Sequence, residues 1–272
     1  MQHSVKPADA GAQPRARRAV VIRKLQKDDI YHALVAGLND FRTAPRYGLV
    51  VGGLHTLFGW VAIYFAEFSG LRYFAYPLLT GVALVSPFSA AVLYEVSRRL
   101  ETGAPLSWGA VLRSVRMSGG RDLGWMCLVS LFGFIIWIDY SFVLYLMFYG
   151  LDMPDPAQFI HHALTTPKGI VFVLVGNLFG GMIAFAVFAV TVVSYPLLLD
   201  RDVDFVTAMI SSVKAVLTNP WPLLAWALVI ALFLAFGLLS ALLGLTLVLP
   251  LLGHASWHVY RKLVEPESPA AA

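Results

Sequence analysis

Between Trp221 and Tyr260 the chain runs for 40 residues without an Asp, Glu, Lys or Arg. As one helix this stretch would extend about 60 Å, roughly twice the hydrocarbon thickness of a bilayer. It must therefore fold back on itself, and Gly237, Ser240 and Gly244 mark the turn. Three further charge-free runs occur, from Tyr47 to Ala66, Tyr73 to Tyr94 and Gly169 to Leu199. Each matches the roughly 20 apolar residues that cross a membrane core. Leu123 to Phe148 also qualifies, although Asp139 interrupts it. The reading is an all-α polytopic membrane protein with six spans, at about 47–67, 73–97, 123–149, 169–199, 221–239 and 243–262. Charged residues make up 13% of the chain, and their scarcity is concentrated in these runs.

Orientation follows from where the cations lie, because positive loops stay on the cytoplasmic side. Nine Lys or Arg precede span 1, five more (Arg98, Arg99, Arg113, Arg116 and Arg121) join spans 2 and 3, Arg201 and Lys214 follow span 4, and Arg261 and Lys262 end span 6. The other side keeps only Arg72 and Lys168. Both termini are expected in the cytoplasm. The net charge of +4 then reflects topology and contact with anionic lipid heads, not nucleic acid. Residues 1–27 read as a disordered basic tail without the apolar core of a secretory signal, 28–264 as the membrane domain and 265–272 as a flexible end. The single cysteine, Cys127, excludes an internal disulfide and a cysteine-clustered metal site.

A threefold pattern runs through the chain. Val85, Pro87, Val96, Arg98 and Leu100 match Val248, Pro250, Val259, Arg261 and Leu263 at constant offset, and VSYPLLLDRDVD at 193–204 is a partial third copy. Spans 1, 3 and 5 are each preceded by an apolar stripe at helical spacing. These stripes are Ile30, Leu34, Leu38 and Phe41, then Trp108, Val111, Leu112 and Val115 after an N-cap at Ser107, then Val206, Met209, Ile210, Val213, Val216 and Leu217. Each is expected to be a cytoplasmic amphipathic helix at the interface, giving a unit of helix, span, span at about 30–103, 104–203 and 204–264. The second unit carries an external insertion, GLDMPDPAQFIHHALTTP.

With YEVSRRLETG, PLLLDRDVDFVTAM and LPLLGHASWHVYRKLV as markers, residues 20 to 264 resemble a bacterial family of predicted six-helix integral membrane proteins of unknown function. The resemblance implies an inner-membrane protein and brings no activity. Members are sometimes labelled as similar to the large subunit of cytochrome c oxidase. That label fails as an identity, because three membrane histidines, His55, His254 and His258, are too few for two haems and copper.

A smaller possibility survives that test, since a b-type haem needs only two imidazoles from facing helices. His55 and His254 each lie about 12 Å from the cytoplasmic side at 1.5 Å per residue. The competing reading makes His254 and His258, one turn apart beside Trp257, interfacial hydrogen-bonding groups at a helix exit. Asp139 approaches the outer boundary, where it is either a proton or ion ligand or a carboxylate solvated by local water and Tyr140. Glu95 is explained by pairing with Arg98 and Arg99. In DRDVD, Asp202 or Asp204 can cap the next helix, while Asp200 and its neighbours around Arg201 offer a helix-end bridge or a weak cation site. Gly176, Gly180 and Gly181 give a close-packing face, and Asn177 can bond to a neighbouring helix. His161 and His162 read as solvated.

Nucleotide-binding, hydrolase-elbow and metalloprotease patterns are missing, so no catalytic constellation supports an enzyme. The leading expectation is a non-enzymatic scaffold or accessory protein for a membrane complex, without a cofactor, packing in the bilayer with membrane partners or with copies of itself. A small-solute or lipid carrier or channel using Asp139 or Asn177 is the alternative. A haem or metal binder is the third.

Overall fold

A computed structural model describes residues 20–70, 75–151 and 155–266. The tail expected at 1–27 and the flexible end expected at 265–272 lie mostly outside these residues. Ten helices occupy the described chain: α1 (Asp29–Thr43), α2 (Pro45–Phe68), α3 (Ala75–Thr102), α4 (Trp108–Tyr149), α5 (Pro156–Thr165), α6 (Pro167–Thr191), α7 (Ser194–Asp200), α8 (Phe205–Thr218), α9 (Pro220–Leu239) and α10 (Leu245–Leu263). The fold is all-α, and among the described residues the one extended pairing is an isolated antiparallel bridge between Ile22 and Val264.

Among the described residues, five segments are long and apolar enough to cross a membrane: Pro45–Phe68, Ala75–Thr102, Gly120–Tyr149, Pro167–Asp200 and Pro220–Leu239. The sixth expected span, 243–262, is the helix α10, as long as a span but with polar turns in its second half. Its position explains the difference. Residues from Val248 through Leu263 are largely buried, and α10 packs against α1, α2, α3, α7 and α9. A helix whose neighbours are protein on most sides can carry polar groups that a lipid-facing helix cannot, because each finds a partner. The outer helices show the reverse. In α6 only Gly169 and Thr191 are buried, and apolar side chains such as Leu174, Leu178 and Met182 face outward.

Close approach to α10 depends on two glycines that the spacing argument did not single out. A Cβ on Gly37 of α1 would lie 2.5 Å from the Ala255 backbone nitrogen, and one on Gly52 of α2 would lie 2.5 Å from the Thr246 carbonyl oxygen. Both obstructions are backbone, so only a residue without a side chain fits. Of the glycines expected to pack α6, Gly180 rests against the Trp137 ring, Gly176 approaches Leu144 and Gly181 faces open space.

Helix joints follow local chemistry. Pro45 and Pro220 each begin a helix, where a missing N–H costs nothing. The residues before them share one backbone geometry, with φ −131° and ψ 54° at Ala44 and φ −130° and ψ 54° at Asn219. No proline separates the expected amphipathic helix near 108 from the span near 123. There α4 continues unbroken for 42 residues. Pro196 instead breaks the helix between α6 and α7, since its ring would meet the preceding turn. The Val193 amide left over at that break donates to Ser212 Oγ at 3.1 Å. The turn expected at 237–244 is present: Leu242 has φ 67°, and the Gly244 amide donates to Ser240 Oγ at 2.8 Å.

Candidate functional site

Polar side chains gather at the end of the bundle where α3 and α10 finish and α2 and α9 begin. The C-terminal half of α10 supplies His254, Trp257, His258, Tyr260, Arg261 and Lys262, which point in several directions from one helix. Five of them meet carboxylates on neighbouring helices. His258 Nε2 lies 2.7 Å from Asp40 Oδ2 on α1. The Trp257 indole donates to Glu101 Oε2 on α3 at 3.1 Å, and Arg261 reaches the other oxygen of Glu101 at 2.9 Å. Tyr260 donates to Asp200 Oδ2 at 2.6 Å, with Arg261 3.4 Å from the same oxygen. Lys262 pairs with Asp29 at 3.3 Å. Four carboxylates from three helices, α1, α3 and α7, thus converge on a single helix.

Beside this hub, Glu95 is fully buried and bound by both arginines that follow it, Arg98 at 2.8 Å and Arg99 at 2.6 Å. The local pairing expected for Glu95 is therefore present. Arg99 also donates to the Pro105 and Ala110 carbonyls, so the pair ties the end of α3 to the start of α4. His254 is fully buried, with Nδ1 2.8 Å from Ser97 Oγ and with Nε2 lacking a hydrogen-bonding partner.

The two histidines considered as haem ligands are not brought together. His55 donates through Nδ1 to the Val51 carbonyl at 2.9 Å, and its Nε2 sits 3.0 Å from Ser89 Oγ. Ser89 and Ser97 stand eight residues apart on α3, about 12 Å along its axis. Two imidazoles tied to points so far apart do not address one iron, so the donor set does not fit an axially ligated haem. Among the described residues no group of three His, Cys, Asp or Glu is placed to hold a metal ion.

In the DRDVD stretch, Asp204 is the capping residue. It accepts from the Thr207 amide at 2.9 Å and from the Thr207 hydroxyl at 2.8 Å. Ser107 caps α4 through the Ala110 amide, as its position suggested. Asp202 is exposed, Asp200 belongs to the hub, and Arg201 donates to the Glu265 carbonyl. Asp139 is exposed on α4. Asn177 lies on α6 far from the hub in sequence and accepts from the Tyr76 hydroxyl at 3.1 Å, in the wall of a cavity at the other end of α3.

A second feature was not legible in advance. Residues 20–26, assigned to the tail, lie along the end of α10. The Arg23 amide donates to the Leu263 carbonyl at 2.8 Å and the Glu265 amide to Val21 at 3.1 Å. Asn219 locks this segment by accepting from the Leu25 amide at 2.7 Å and donating to the Arg23 carbonyl at 3.0 Å. The partners are separated by about 200 positions, so local pattern carries no trace of them; Asn219 before Pro220 was the one available signal.

Residues 75–200 match the model of a family described as predicted integral membrane protein (DUF2189). The matched segment runs from α3 through α7 and includes Glu95, Glu101, Asp139, Asn177 and Asp200. No curated protein and no solved structure matches the chain.

Proposed function

We propose that this chain is a non-enzymatic accessory or scaffold protein of a bacterial inner membrane, with both termini in the cytoplasm. The observation that carries this reading is the placement of α10. A carrier or channel of this size needs a solvated path between its helices, whereas here α10 packs closely among α1, α2, α3, α7 and α9. His258, Arg261 and Lys262 on it are bound to carboxylates of neighbouring elements. Such a centre holds helices in fixed relation, which is what a platform for other membrane proteins requires. The outward apolar faces of α2, α6 and α9 remain available for lipid, for partners or for further copies. No step in this role calls for a cofactor.

The orientation is supported by the eighteen-to-two distribution of Lys and Arg between the two ends. The threefold helix, span, span organisation is supported by the matching joints at Ala44 and Asn219 and by Pro87 and Pro250 inside α3 and α10. The continuous α4 would be the copy that has lost its joint.

Cross-linking in intact membranes, followed by purification at native abundance in mild detergent, tests the role. The expected product is a defined assembly larger than the 29.8 kDa chain. Recovery of a lone, uncross-linked monomer would overturn it. Flux assays on Asp139→Asn and Asn177→Ala variants address the rival transporter reading, and a changed flux in either would favour that rival.

A further inference from the structure

At the end of the bundle opposite the polar hub, α3, α4, α5 and α6 enclose a cavity of about 480 Å³. Its wall is aromatic: Tyr76, Trp137, Tyr140, Tyr145, Phe159 and Phe172 line it, with exposed Ile160 and Leu164 of α5 among its rim. The external insertion therefore builds one wall. Phe159 packs on Tyr145 and Tyr149, with ring centroids 5.9 and 5.1 Å apart.

The polar atoms in this lining are turned to protein partners. The Tyr76 hydroxyl donates to Asn177, the Asn177 amide to the Val173 carbonyl at 2.9 Å, and the Tyr140 hydroxyl to the Val175 carbonyl at 3.0 Å. Ser141 donates to the Trp137 carbonyl at 2.8 Å, and the Trp137 indole to the Pro77 carbonyl at 2.8 Å. Water in a cavity needs two to four polar partners, and these groups have already spent their protons on the protein. The space favours hydrocarbon. It also lies among membrane-crossing helices, where hydrocarbon chains are the surrounding solvent, and its size falls in the range of roughly 300–1,000 Å³ typical of ligand sites.

Charge selects the ligand further. Lys168, at the first turn of α6, places its ammonium 5.1 Å from the centre of the Tyr149 ring. Tyr149 in turn packs edge-on against Phe172 of the cavity wall, centroids 5.2 Å apart. A positive group thus stands one aromatic ring from an apolar pocket, at the depth where α6 begins.

We propose that this cavity holds one acyl chain of an anionic phospholipid, whose phosphate lies within reach of Lys168. The site is separate from the hub and does not depend on the accessory role.

The test reconstitutes the full chain in phosphatidylcholine vesicles doped with phosphatidylglycerol, or with phosphatidylcholine, carrying a photoreactive diazirine near the end of one acyl chain. Adducts are mapped by peptide mass spectrometry. Adducts concentrated on the α4, α5 and α6 wall, at Phe159 and Phe172 above all, are expected. Labelling should be about fivefold stronger for the anionic probe, from the roughly 1 kcal/mol a lysine contributes near an anionic lipid surface. Lys168→Gln should remove that preference and keep the map. Gly176→Leu, which directs a side chain into the space, should abolish cavity adducts while those on α9 persist. Adducts spread as densely over the exposed faces of α2 and α9 as over the cavity overturn the site, and the wild-type map alone decides this even if Gly176→Leu does not fold. Cavity adducts with equal labelling by the two probes overturn the assignment of an anionic headgroup.

Discussion

Gly52 and Gly53 are neighbours on α2, yet alanine at the two positions should have opposite effects. At Gly53 an added Cβ meets nothing within 4 Å, whereas at Gly52 it would lie 2.5 Å from the Thr246 carbonyl oxygen. Ordinary contact begins at 3.4 Å, so relief requires α2 and α10 to separate locally by about 0.9 Å, the difference between these two distances. One turn further along, Thr56 donates to the Leu242 carbonyl and meets the Thr246 hydroxyl, both at 3.0 Å. A shift of that size would stretch both beyond hydrogen-bonding range. Overpacking costs about 1–3 kcal/mol, and hydrogen bonds between membrane helices are worth about 0.6 kcal/mol each. Against this, replacing a helical glycine by alanine gains about 0.8–1 kcal/mol. Gly52→Ala should therefore lose about 2 kcal/mol, and Gly53→Ala should be neutral or gain up to about 1 kcal/mol. Cys127 is the only cysteine and is half-buried, so its reaction with a maleimide dye during heating in detergent reports unfolding without an added label. Equal transitions for the two variants would refute the claim that α2 rests on the backbone of α10.

Four further outcomes follow from the hub, its surroundings and the proposed orientation. Glu95→Ala should cost about 3–5 kcal/mol, because it strands Arg98 and Arg99 beside a buried position; chemical denaturation in mixed micelles measures this. Asn219→Ala removes the clamp on residues 23 and 25, so the Leu25 amide should exchange with deuterium much faster while α9 amides keep their protection. Asp139→Asn should stabilise the folded chain in a bilayer, since it removes a charge from an exposed position on a membrane-crossing segment; a loss of stability in the cysteine-reactivity assay would expose a missing interaction. Tags placed after α2, after α4 and in the turn between α9 and α10 should be accessible only from outside the cytoplasm, and access from within would reverse the orientation.

What the sequence made legible was set by solvent. Four expected spans end within a few residues of α2, α3, α9 and α10, because charged residues flank most of the apolar runs and the turn at Gly237, Ser240 and Gly244 divides the last one. Capping was legible too, at Ser107 and Asp204, since an N-cap acts over three residues. The continuity of α4 was not. Gly119, Gly120, Arg121 and Asp122 look like a break, but a helix needs only its own backbone bonds and tolerates polar residues where it leaves the apolar layer. The hub was equally hidden. His258 was visible as a polar group at a helix exit, but its partner Asp40 is 218 positions away, and Glu101 joins Trp257 across 156. The histidine pairing considered for a cofactor assumed equal depth by counting from each helix's own end, whereas the two imidazoles bind serines eight residues apart on α3.

The helix that seats α1, α2, α3, α7 and α9 follows all of them in the chain and is synthesised after them. During translation the notches at Gly37 and Gly52 must wait, open to lipid or to an insertion chaperone, until Leu245–Leu263 leaves the ribosome. Only then can residues 20–26 close over the end of α10. Assembly of these helices is thus gated by α10, and a ribosome that stops short of Leu245 releases a set of staves without the peg that joins them.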